Sequence, residues 1–81
     1  MMTLENLTAT DRAAALFASR LPAGVPVTAS VLSAAITEAL HDHGGPPGCA
    51  GQMAAVYGEN PAYAAARMRW ALAVLRAPTR P

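Results

Sequence analysis

Asn60-Pro61-Ala62-Tyr63-Ala64-Ala65-Ala66-Arg67-Met68-Arg69-Trp70-Ala71-Leu72-Ala73-Val74-Leu75-Arg76 is the stretch on which the fold turns. An asparagine side chain can accept from the first free N–H groups of a helix. A proline at the first helical position loses nothing, because its missing N–H would be unpaired there anyway. No glycine or proline follows until Pro78, so the reading is a helix over 61–76. On a 100° wheel it carries two apolar stripes. Ala64, Ala65, Met68, Ala71, Leu72 and Leu75 share one side, and Tyr63, Ala66, Trp70, Ala73 and Val74 cover much of the other. Arg67 lies along one border, and Arg69 and Arg76 along the other. A helix apolar on both sides is either central in its domain or shared with a partner.

Working back from Asn60, Gly58 is expected to stop a short third helix over about 49–57, with Cys49, Met53, Val56 and Tyr57 inward. Gly44-Gly45-Pro46-Pro47-Gly48 reads as a terminating glycine followed by a rigid, non-helical linker. A second helix over 29–42 follows Thr28 as cap, with Val31, Leu32, Ala35, Ile36, Ala39 and Leu40 as its apolar arc. A first helix over 9–20 has Thr8 or Thr10 available as cap and Asp11 at its positive start. Leu21-Pro22-Ala23-Gly24-Val25-Pro26 ends it. The expectation is a single all-α domain over 1–81, a compact bundle of about four short helices, with flexible ends at 1–7 and 77–81.

The chain is 53% hydrophobic by residue, but 20 of its 81 residues are alanine. Setting aside Ala, Cys49 and the two N-terminal Met residues, only 20 large apolar side chains remain. A lone domain with so thin a core is marginal, and oligomerisation is one remedy. A homo-oligomer or a protein partner is therefore expected. Cys49 has no second cysteine to pair with, which fits a reducing, cytoplasmic setting. The opening MMTLENLTATD has two acids and no base, unlike a signal peptide, and no run approaches the roughly 18 apolar residues of a membrane span.

Net charge is +1, unevenly placed. Residues 1–59 hold two arginines against five acids, a net −3, whereas residues 60–81 hold four arginines and no acid. Such an imbalance marks either an acidic-partner or nucleic-acid surface, or attraction between the two halves of the chain.

Met53-Ala54-Ala55-Val56-Tyr57-Gly58-Glu59-Asn60-Pro61-Ala62-Tyr63-Ala64 resembles a helix-turn-helix DNA-binding unit. Ala54 matches the small residue of the family's first helix, Gly58 its turn glycine and Asn60 its polar cap. Glu59 departs from the apolar residue usual after the glycine. The resemblance covers residues 53–67 and implies that helix 61–76 enters the major groove. Arg67, Arg69 and Arg76 would then be the DNA contacts.

Other chemistry finds little support. His41-Asp42-His43 and Cys49 are the only candidate metal ligands, and their spacing is not that of a zinc site. Cys49 begins an apolar helical spacing, as a buried structural cysteine does. The five acids form no pair suited to acid–base work, and 44–48 has no lysine and no phosphate-loop pattern. No catalytic, metal or cofactor residues are assigned, and neither an enzymatic activity nor a small-molecule ligand is expected. Tryptophan and arginine are enriched where protein interfaces concentrate their energy. The reading is thus an interaction or regulatory module with Tyr63, Trp70 and Val74 at its contact surface.

Overall fold

The computed structural model describes residues 7–77 and is all-helical: α1 (Ala9–Ala18), α2 (Ala29–His43), α3 (Pro46–Glu59) and α4 (Pro61–Arg76). None of these helices is long and apolar enough to cross a membrane.

The start of each helix follows from local chemistry. Thr8 Oγ1 accepts from Asp11 N at 3.0 Å while the Asp11 carboxylate accepts from Thr8 N at 3.4 Å, a reciprocal cap that opens α1. Thr28 Oγ1 accepts from Val31 N at 3.2 Å and opens α2. α1 stops at Ala18, two residues short of the expected Arg20. The Ser19 hydroxyl donates to the Leu16 carbonyl at 2.7 Å and accepts from Leu21 N, drawing the backbone out of the helix.

The glycine–proline stretch behaves differently from its reading as a linker. Gly44 sits at φ 80° and ends α2, and Gly45, at φ 92°, caps the next helix. Pro46 and Pro47 then form the first turn of α3, where neither missing N–H is needed. Helix α3 therefore begins three residues earlier than expected. Gly48 permits the reversal, because a Cβ there would overlap the main-chain carbonyl of His43. Two residues suffice to turn the chain.

At its other end α3 runs through Gly58 to Glu59, so the expected stop at Gly58 is also corrected. A glycine in the last turn costs about 1 kcal/mol at most, too little to end the helix there. Asn60 alone joins the two helices. Its N–H closes α3 on the Val56 carbonyl at 2.8 Å, and its Oδ1 opens α4 by accepting from Tyr63 N at 3.1 Å.

Helices α1 and α3 each pack against the other three, while α2 and α4 scarcely meet; the centre of the bundle is α1, the most deeply buried of the four. Ala13, Ala14, Ala15, Leu16 and Phe17 are all buried in succession. No outward face remains over that stretch. Leu32, Ile36 and Ala39 of α2, Cys49 of α3 and Ala71 of α4 complete the interior, together with Leu7 just ahead of α1. Six of the twelve buried residues among those described are alanines, which bring helix axes close but fill little volume. Val31 and Tyr57, both read as inward, are exposed. Tyr57 instead stacks on Phe17 with ring centroids 5.9 Å apart. The molecule measures 35 × 30 × 18 Å, hardly two helix diameters at its thinnest.

Candidate functional site

Helix α4 sits at the edge of the bundle, held by α1 and α3. Only Ala64 and Ala71 of its sixteen residues are fully buried. Both belong to the first apolar stripe, whose other members are open to varying degrees: Ala65, Met68 and Leu75 are half-buried and Leu72 is exposed. Small residues dock the helix, and larger ones remain along its flanks.

On one flank lies the stripe read as a contact surface. Tyr63 is its most exposed member, at 53%. It stands over a cleft of about 350 Å³ shared with Ala66, Arg67 and the Pro22–Ala23 turn. Trp70 and Val74 are half-buried and pack against the periphery of the core. The three residues thus share a flank without being equally open.

Arg67 has an internal role that its place on the wheel did not reveal. Its Nε donates to the Phe17 carbonyl at 3.0 Å and Nη2 to the Ser19 carbonyl at 2.9 Å. The guanidinium carbon also lies 4.4 Å from the centre of the Trp70 ring. Helix α1 has no basic residue in its own last turn. Its free carbonyls, the negative end of the helix dipole, are met by Arg67 from α4 and by His43 from α2, whose Nε2 lies 3.2 Å from the Ala18 carbonyl. Arg69 and Arg76 are exposed, and Arg76 Nε folds back on the Leu72 carbonyl at 3.2 Å.

The other flank of α4 carries the exposed end of the first apolar stripe. Ala9, Arg12, Leu72, Leu75 and Arg76 border a groove of about 420 Å³ between the start of α1 and the end of α4. Ala9 and Leu72 also border an adjoining hollow of about 240 Å³ that reaches Met53 and Met68. The sequence signal for this groove was the Leu72/Leu75 pair beside Met68. The contribution of Ala9 and Arg12 was hidden, because it depends on how α1 crosses α4.

The remaining candidates are dispersed. His41 is exposed, His43 turns to α1, and Cys49 is 0% exposed with Sγ 3.5 Å from the Ala39 carbonyl. Burial pushes the Cys49 thiol above its ordinary value of 9.0, which disfavours the thiolate. Among the described residues no three His, Cys, Asp or Glu side chains gather around a common point. Among the described residues the ion pairs join Arg20 to Asp42 at 3.3 Å and to Glu38 at 3.9 Å, on the surface. In the segment resembling a helix-turn-helix, Gly58 is helical and one residue separates α3 from α4.

Comparison with protein-family models, curated proteins and solved structures finds no match to this chain.

Proposed function

We propose that this protein is a small non-catalytic interaction module that engages a protein partner through the outer surface of α4, in the reducing setting that suits its one unpaired cysteine. A single observation carries the reading: α4 is fully buried only at Ala64 and Ala71, while Tyr63 and Leu72 stand exposed on its two flanks. Isolated apolar residues on a surface are ordinary. Here they line clefts on the two flanks of one helix, in a domain whose interior is half alanine by count. A partner helix or a second copy would bury the apolar area that the bundle leaves uncovered.

The test is to place a photo-crosslinking amino acid at position 63 or 72 in the native cell, with positions 33 and 37 on the polar face of α2 as controls. Protein adducts are expected from 63 and 72 and not from 33 and 37. Adducts at equal yield from all four positions would sink the reading. Duplex DNA is the competing partner implied by the helix-turn-helix resemblance, with exposed Arg69 and Arg76 as its contacts. It predicts nucleic-acid adducts instead, and duplex binding that weakens steeply with salt.

A further inference from the structure

The geometry points to an acidic amphipathic helix as the partner of the α1–α4 groove, with Arg12 and Arg76 receiving its carboxylates. This rests on the reading of α4 as an interaction surface and names the flank and the partner's chemistry.

Three observations converge on it. The first is shape. The groove between α1 and α4 and the hollow beside it share Ala9 and Leu72, so they run on as one trough along two helices. Ala9 and Ala13 contribute only methyl groups, which leaves room for a partner's larger side chains. Leu72, Leu75, Met53 and Met68 offer apolar, partly open surface. Such a trough suits a helix laid along it with anchors at every third or fourth position, and methionines adapt readily to what is laid there.

The second is charge. Arg12 and Arg76 border the larger part, both are exposed, and neither pairs with a carboxylate among the described residues. Among the described residues no acidic one lines either part of the trough. Asp11 lies next to Arg12 in sequence, but its carboxylate turns to the Thr8 N–H. A ligand with carboxylates flanking an apolar row would satisfy the rim and the floor together.

The third observation bears on a second copy of this chain. Among the described residues the four acids are Asp11, Glu38, Asp42 and Glu59. Glu38 and Asp42 already meet Arg20, and Asp11 caps α1. That leaves Glu59, at the very end of α3, as the one uncommitted acid among them. No described helix of this chain offers the acid-and-apolar face that the trough fits. Duplex DNA would use the arginines but leave the leucines and methionines bare.

The probe is a synthetic 16-residue helical peptide with leucines at a three/four spacing and flanking glutamates, set against a version with lysine for glutamate. Binding is followed by fluorescence anisotropy, and the site by amide and methyl shifts in NMR. The glutamate peptide is expected to bind with shifts centred on Ala9, Ala13, Leu72 and Leu75. The lysine peptide is expected to bind at least about tenfold more weakly. Arg12→Glu with Arg76→Glu should reverse that preference, a swap that a general loss of folding cannot produce, with helicity checked by circular dichroism. Equal affinity for the two peptides, or no binding of the glutamate peptide at millimolar concentration, would overturn the inference. Shifts confined to Tyr63, Ala66 and the Pro22–Ala23 cleft would also overturn it, while leaving an α4 interaction surface standing. Loss of the position-63 and position-72 crosslinks as well would remove both. Concentration-dependent self-association that excludes the peptide would assign the trough to a second copy and overturn the inference too.

Discussion

Arg67 shows how much one side chain can decide in a domain this thin. Its two hydrogen bonds to the α1 carbonyls and its contact with Trp70 tie α4 to the C-terminus of the central helix. Charge-assisted bonds to partly buried carbonyls contribute about 1.5–3 kcal/mol, and a ring beneath the cation adds somewhat less. Arg67→Ala is therefore expected to lower unfolding stability by about 2–3 kcal/mol in urea denaturation. Arg67→Lys should recover less than half, because an ammonium cannot reproduce the two-pronged geometry. No loss in Arg67→Ala would refute the role. Cys49 gives a second prediction at this scale. Its folded pKa is raised, so between the unfolded and folded values the native state holds a proton that the unfolded chain releases. Its contribution to stability is thus complete below the unfolded value and declines as pH rises through that value toward the folded one. Compared with Cys49→Ala, the wild-type protein should lose stability more steeply above pH 9. Parallel pH profiles would contradict this.

At the scale of elements, the glycines separate strain from mere flexibility. Gly48 has no room for a Cβ against the His43 carbonyl, whereas Gly51 and Gly58 face open space within α3. Gly48→Ala should lose about 2–4 kcal/mol, because the close α2–α3 reversal must open. Gly51→Ala and Gly58→Ala should each gain about 0.5–1 kcal/mol from helix propensity. Thermal melts of the three variants check both signs at once, and a gain at position 48 would contradict the account of the reversal. These glycines also show where sequence reading succeeds. The bounds of α4 and the starts of α1 and α2 were legible, because Thr8, Thr28 and Asn60-Pro61 act through bonds within four residues. The Gly44–Gly48 stretch was not. Gly and Pro punctuate a linker and a tight helix start alike, and only the contact between Gly48 and His43 tells them apart. The tie from Arg67 to α1 was hidden for a related reason: its hydrogen-bond partners lie 48 and 50 residues away.

Across the whole molecule, the central helix proves to be α1 and not the longer α4. The run Ala13-Ala14-Ala15-Leu16-Phe17 contains no polar residue, and that was the available signal for a helix buried all round. With α1 enclosed, α4 is left at an edge with two apolar flanks, and the proposed interaction surface rests on that arrangement. The same arrangement separates core from surface energetically. Leu16 is fully buried at the centre, so Leu16→Ala should cost about 2–5 kcal/mol. Tyr63 and Leu72 lie outside it, at 53% and 38% exposure. The measurement that tests the central claim most directly sets urea denaturation of the Tyr63→Ser/Leu72→Ser double variant beside its crosslinking from a photoreactive residue at position 66, which lies on the Tyr63 cleft. The account predicts a stability loss of no more than about 2 kcal/mol, with the partner adducts abolished. A loss as large as that of Leu16→Ala, or adducts undiminished in a folded double variant, would contradict it.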